Sequence, residues 1–298
     1  MDPLEDVLSL LGTSSRLSTG MIAGGRWAVR FEPPAGAKFN SVRRGQCFLI
    51  VDGDVITLNE GDCFLLTRPV AFTLASDPAL PAEPAQPIFA TATGGFAHVG
   101  DGDGLLLIGG AFTFGDRART LLLDALPTVI HVPAGTAEAA AVGRALGEID
   151  AELRHPAMGS TLIAEHLATV MLILVLRLHL ARERHSGWLG GLTDPVVAPA
   201  LKALHARPQQ AWTVEELARV SAVSRSTLAA RFKSVVGVGP LEYLTGWRIE
   251  LASDRLRRGT DTVATIAHAV GYGSESALSN AFKRVTGSSP RDYRRANR

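Results

Sequence analysis

Eight residues near the C-terminus of this 298-residue chain recur at one spacing. Ser224, Ser226, Leu228, Phe232, Lys233, Gly237, Pro240 and Tyr243 return 50 positions later as Ser274, Ser276, Leu278, Phe282, Lys283, Gly287, Pro290 and Tyr293. Each set runs through a helix start, a core stripe, a helix stop and an aromatic anchor, in that order. Such a repeat marks one supersecondary unit used twice.

In the first copy, Thr213 precedes Val214 as an N-cap, and Glu216 three residues on completes a capping box. A second helix starts at Ser224 and stops at Gly237, which is suited to a left-handed C-cap. Leu228, Phe232 and Val235 fall on one stripe, opposite Ser226, Ala230 and Lys233. The second copy runs Val263–Val270, turns at Gly271-Tyr272-Gly273 and restarts at Ser274. There Leu278, Phe282 and Val285 are expected inward, with Ser276, Ser279, Asn280 and Lys283 outward. A helix over Pro240–Arg258 separates the two motifs, which span 213–237 and 262–287.

The formal net charge of +1 hides an asymmetry: residues 194–298 carry 16 Lys and Arg against nine Asp and Glu, a net of +7, and the rest carries −6. A basic end with paired helices fits the major groove of double-stranded DNA. It fits RNA less well, because interleaved aromatics for base stacking are missing. Base-reading candidates are Arg225, Ser226, Thr227 and Ala230 in the first motif, and Glu275, Ser276, Ser279 and Asn280 in the second. Phosphate candidates are Thr213, Lys233, Thr262, Lys283 and Arg284. Asn280 can pair with adenine through two hydrogen bonds, whereas Ala230 offers only apolar contact, for instance to a thymine methyl. Arg231 lies nearer the core edge of its helix, where snorkelling or an ion pair is its default role.

Residues 1–135 read as short strands between turns: Gln46–Val51, Val55–Leu58, Cys63–Leu66, Leu105–Ile108 and Val129–Val132. Asp52-Gly53 is a two-residue hairpin signal. The pattern predicts a β-sandwich or small barrel, and Phe48, Phe64, Phe72, Phe89 and Phe112 are candidates to line a ligand cavity in it. The proline-rich PALPAEPAQP segment (78–87) is either a surface connection or a lid over a barrel mouth. From Thr136 the period becomes helical. Ile163, Leu167, Val170, Leu174 and Leu178 form a stripe that would pack on the sheet or against a second copy. Glu165, His166, Arg177 and His179 interrupt this apolar stretch, which argues against a membrane span. The glycines of 186–193 predict a flexible linker. The start, MDPLEDVLSLLG, lacks the pattern of a signal peptide, and two cysteines without paired spacing suit a cytoplasmic protein.

Residues 194–298 resemble the AraC/XylS family over their whole length, on WTVEELA, STLAARFK and IAHAVGYGSESALSNAFKRVTGSSPRDYRR. Residues 1–135 resemble the cupin-type sensor domain found before that unit in one family branch. The carrying segments are FEPPAGAKFNSVRRGQCFLIVDG, LNEGDCFLLTRPVAFTLASD and LLLDALPTVIHVPAG. The resemblance implies an α+β multidomain chain: a cupin-like β-barrel or jelly roll (1–135), a helical hairpin and linker (136–192) and an all-α domain with two helix-turn-helix motifs (193–298). It implies a promoter-binding regulator, usually an activator working through RNA polymerase, with a small-molecule effector and a homodimer through 136–185 as further expectations. The family commonly carries a long polar side chain two residues after the helix leucine, and Ala230 departs from that.

A metal-dependent cupin enzyme is the alternative. It would need two or three histidines and a carboxylate, with a His-x-His pair on a strand. Only His98 and His131 lie in the N-terminal part, and GQCF stands where the pair would be, so neither metal nor another cofactor is expected. Cys47 and Cys63 offer a redox-sensing alternative, since Arg43 and Arg44 close to Cys47 would lower a thiol pKa.

Overall fold

The computed structural model describes residues 3–10, 14–114, 122–182 and 187–296. Its two compact units are Gly12–Arg182, and Met1–Leu11 joined to Glu183–Arg298. Helix α1 (Pro3–Leu10) therefore belongs with the C-terminal helices, although its sequence lies before the strands.

The first unit stacks two sheets. Strands β1 (Ser14–Gly24), β3 (Ala37–Arg44), β6 (Cys63–Leu66), β9 (Phe96–Gly100), β10 (Leu105–Thr113) and β11 (Val129–Val132) form a six-stranded sheet in the order β11-β6-β3-β10-β1-β9. Strands β2 (Ala28–Phe31), β4 (Cys47–Val51), β5 (Asp54–Leu58), β7 (Phe72–Ala75) and β8 (Glu83–Pro84) form the other, in the order β5-β4-β7-β2-β8. The arrangement is a jelly-roll-like sandwich and not a closed barrel. Asp52 and Gly53 both adopt positive φ, 51° and 91°, as the expected hairpin turn between β4 and β5 requires.

Met21, Val29, Val42, Leu49, Leu74 and Leu107 from both sheets share one apolar core. Successive residues of a strand face opposite sides. On β3, Val42 therefore faces this core together with Lys38 and Asn40, while Phe39 and Arg43 face the other way, where Arg43 pairs with Asp150 at 3.6 Å. Asp150 lies on α3 (Ala140–Arg154) of the helical pair; helix α2 (Ala85–Ala90) follows β8, and α4 (Ser160–Arg182) completes the pair and packs on β1. Of the described helices, α4 is long and apolar enough to cross a membrane by length and composition.

Two expectations need correction here. Of the two alternatives for the α4 stripe, packing on the sheet fails at Ile163 and Val170: those residues are 45% and 47% exposed, while Leu178 is buried together with Ala164, Ala168, Met171, Leu172 and Val175. Alanines let the helix approach the sheet closely, and a helix apolar all round gives periodicity nothing to select. The glycine-rich linker is also not a linker. Ser186 lies outside the described residues, but Gly187–Thr193 is helix α5, with Trp188, Leu189, Gly190 and Gly191 buried. A Cβ at Gly191 would lie 2.6 Å from Leu201 Cδ1 and 3.0 Å from Val197 Cγ1, so that glycine serves close helix packing.

The second unit continues with α6 (Val197–Ala206), α7 (Val214–Val220), α8 (Arg225–Val236), α9 (Pro240–Arg258), α10 (Val263–Val270), α11 (Glu275–Thr286) and α12 (Pro290–Ala296). It has two cores. One joins α6, α7, α8 and Leu244 at the start of α9; the other joins Ile249, Ala252 and Leu256 at its end to α10 and α11. A single helix thus takes part in both cores and couples the two motifs mechanically.

Candidate nucleic-acid interface

Each motif is set by its caps. Thr213 Oγ1 accepts the Glu216 N–H at 3.2 Å, and Glu216 Oε2 accepts the Thr213 N–H at 2.7 Å, completing the box. These bonds from Thr213 hold the Glu216 carboxyl below the ordinary range. Ser224 Oγ accepts the Thr227 N–H at 3.2 Å, and Ser274 Oγ accepts that of Ala277 at 3.1 Å. Gly237 and Gly287 close α8 and α11 at φ 93° and 79°. Thr262 caps α10 by accepting the Thr265 N–H at 3.1 Å.

The spacing of 50 holds from Ser224 onward, but the preceding helices match at 49. Thr213 corresponds to Thr262, and the bond from Val223 N to Ala218 O corresponds to that from Tyr272 N to Ala267 O. The second turn is one residue longer, and the extra residue is Gly273. Left-handed backbone falls on Ala222 in the first turn and Gly271 in the second.

Inside, Leu228, Phe232, Leu278 and Phe282 are fully buried. The aromatic anchors repeat in space as in sequence: Tyr243 meets Phe232 edge-on at 5.9 Å and Tyr293 meets Phe282 edge-on at 5.3 Å. Val285 breaks the expected pattern. It is 39% exposed, and Ala281 takes the buried place beside Phe282.

The outer faces carry the sequence candidates. Arg225, Ser226, Thr227, Ala230 and Lys233 are exposed on α8; Ser276, Asn280, Lys283 and Arg284 are exposed on α11, with Ser279 and Glu275 half-buried. Thr213 and Thr262 are exposed at their helix starts. Two base-reading candidates are held in ion pairs: Arg225 Nε lies 3.1 Å from Glu215 Oε1, and Glu275 Oε1 lies 3.0 Å from Arg291 Nη2. Ser226 shares a hydroxyl contact with Ser224 at 3.0 Å. Among the described residues Asn280 and Lys233 carry no such tie.

Arg231 takes the ion-pair role: its Nε and Nη2 both reach Asp194 Oδ2, at 2.8 and 2.7 Å. Asp194 Oδ1 also accepts the N–H groups of Val196 and Val197 at the start of α6. Burial alone would raise the Asp194 carboxyl, but the Val197 N–H and the Arg231 guanidinium hold it below its usual value. This anchor was not apparent from sequence. The Asp-Pro step before a helix was its one available signal.

In the sheet unit the cysteines run against the redox expectation. Both are free, buried, and pushed up to about 12, by burial first and by the Asp62 carboxylate second. Of the two arginines, Arg43 is committed to Asp150 and Arg44 to Asp103 at 3.1 Å. The aromatic expectation also changes. Phe64 and Phe72 are core, Phe112 stacks on Phe39, and Phe48 is half-buried on β4. Phe89 alone of the five faces the cleft between the sheets, which has a volume of about 490 Å³. The proline-rich segment leads into β8 and α2, and Pro84, Ala85 and Phe89 line that cleft.

A capped, twice-repeated helix-turn-helix unit with polar outer faces defines a DNA-binding transcription regulator, here carrying a jelly-roll-like sandwich. Residues 2–181 match the Cupin family, and 217–296 match a Helix-turn-helix domain family. AraC-like transcription regulators of Streptomyces lividans and Streptomyces antibioticus are each 62% identical over 99% of this chain, covering 98% and 99% of their own lengths. The DNA-binding domain of AdpA, solved in complex with a target DNA, is 36% identical over 35% of this chain and 93% of its own, with a TM-score of 0.33. The chain belongs to the AraC-like transcription regulators.

Proposed function

We infer that the chain binds promoter DNA through the exposed faces of α8 and α11 and divides the reading unequally between them. The observation that carries this is a duplicated interior beneath a surface that repeats only in part, since Ser226 and Lys233 recur as Ser276 and Lys283 while other outer positions do not. Buried and capping positions repeat, while Ala230 stands where Asn280 stands in the second copy. Asn280 would read adenine. Arg225, Ser226, Thr227 and the local shape of the duplex would serve the first motif, and Ser276, Ser279 and Glu275 would flank Asn280. Thr213, Lys233, Thr262, Lys283 and Arg284 would position the protein on phosphates.

Around this core we place an activator that meets RNA polymerase in the cytoplasm and has no catalytic role. The exposed Leu162, Ile163 and Val170 of α4 support a homodimer through 136–185, since an apolar helix face is seldom left to water. The cleft between the sheets supports a small-molecule effector. The test is selection of binding sites from random duplexes by the full chain, followed by gel shifts on the region upstream of its own gene at several salt concentrations. Enrichment of one motif bearing two unequal half-elements is expected. Salt-sensitive binding without enrichment would refute sequence-specific reading.

A further inference from the structure

The inner row of β3 breaks the rule that core-facing strand positions are apolar. Val42 obeys it, but Lys38 and Asn40 occupy the next two places and line the cleft. The polar pair is built in. Gly109 stands opposite Asn40 in the register, and a Cβ there would lie 2.5 Å from Asn40 Nδ2, so the side chain is omitted and Asn40 takes the space. Lys38 Nζ donates to Ser18 Oγ at 3.0 Å, and no carboxylate pairs with it among the described residues. Asn40 Oδ1 is buried with no hydrogen-bond partner among the described residues.

A cation withdrawn from water without a counter-charge is costly, and such a group persists in a stable fold when a ligand or partner supplies the anion. Arg30, Glu32 and Gln86 also line the cleft, and beside them it offers an apolar surface. Met21, Leu74 and Leu107 form its floor, and Phe31 and Phe89 meet edge-on at 5.4 Å on its wall. We propose that this cleft binds an organic acid with an apolar body, its carboxylate on Lys38 and Ser18 and its body on that floor beneath α2. The inference rests on the effector reading above and names the effector's chemical class. Burial pulls the Lys38 amine down from 10.5 to about 8, which still leaves it mostly charged at pH 7 and favours an anion over a carbonyl. The volume of about 490 Å³ is that of a small-molecule site.

The test is calorimetric titration of the full chain at pH 7 with three matched series: octanoate, octanol and octylamine; 4-phenylbutanoate with its alcohol and amine; 2-naphthylacetate with its alcohol and amine. In at least one series the acid binds ten times or more tighter than its alcohol and amine. Lys38→Met removes that preference and Lys38→Arg keeps it. The chain has four lysines, Lys38, Lys202, Lys233 and Lys283. Carbon-13 dimethyl-lysine spectra of the otherwise unaltered protein therefore give a reading that needs no variant to fold, and the acid shifts the Lys38 signal. Alcohols binding as tightly as acids, acids binding without moving that signal, or no binding in any series would each overturn the assignment. An acid that binds at Lys38 yet leaves promoter affinity unchanged would overturn the effector reading alone.

Discussion

The Tyr243 hydroxyl lies 2.8 Å from Nε2 of His205, inside the first core of the helical unit. The same imidazole stacks on Trp247 at 4.2 Å, and its Nδ1 lies 3.4 Å from Asp6 Oδ2. One ring thus ties α6 to α9 and to α1, the helix that the sequence places before the strands. Tyr243 also meets Phe232 of α8, so the anchor of the first motif joins a polar tie to an apolar one.

Tyr243→Phe keeps the ring contact and strips the hydroxyl from His205. Losing one hydrogen bond in a buried site costs about 0.5–1.5 kcal/mol. Denaturant unfolding of the full chain, followed by tryptophan fluorescence, should show a loss of that size. An unchanged midpoint would mean that the bond contributes nothing net.

Asn280→Ala should relax the base preference at one position of the selected site, by about 1–3 kcal/mol of discrimination. Lys283→Ala should weaken all sequences alike and reduce the slope of log affinity against log salt by about 1. Site selection and a salt series separate the two effects. A site preference indifferent to Asn280 would move the reading elsewhere.

Lys38 makes the stability of the sheet unit depend on pH. Its folded pKa, about 8, lies below the unfolded 10.5, so the unfolded state holds more protons between these values and stability rises with pH across that window. Below pH 8 the full cost of the buried charge applies, on the order of 3 kcal/mol. Arg30 and Glu32 are the other charged groups lining the cleft, and Glu32 is exposed at its edge. Lys38→Met should therefore stabilise the ligand-free protein at pH 7 and flatten its melting temperature between pH 8 and 10. A variant less stable than the parent at pH 7 would show that the amine is satisfied.

Cys47 and Cys63 should resist alkylation in the native protein. With both thiols near 12, the thiolate is scarce at pH 8, and iodoacetamide should react at least about a hundredfold slower than in the denaturant-unfolded chain. Mass spectrometry over time decides this. Rapid native labelling of either residue would restore the redox reading.

Gly191→Val should destabilise the helical unit by about 1–3 kcal/mol, the usual cost of overpacking, because its side chain would enter space held by Leu201 and Val197. If 187–193 acted as a flexible tether, the substitution would be silent in thermal melts.

The sequence by itself determined the C-terminal module. N-caps at Thr213, Ser224, Thr262 and Ser274, glycine stops at Gly237 and Gly287, and the inward pairs Leu228–Phe232 and Leu278–Phe282 are local signals whose meaning lies within a few residues. The Asp52-Gly53 hairpin was legible for the same reason. Tertiary structure decided what depends on distant partners. It placed α1 against His205, packed the helical glycine run closely enough at Gly191 that Leu201 fills the space a side chain would take, and chose which side of α4 to bury. It also brought Lys38 within hydrogen-bond reach of Ser18 in the cleft that Phe89 lines. A strand of eight residues shows alternation, but not which of its two faces closes on a second sheet; that is settled by pairing across the fold, where β3 meets β6 and β10.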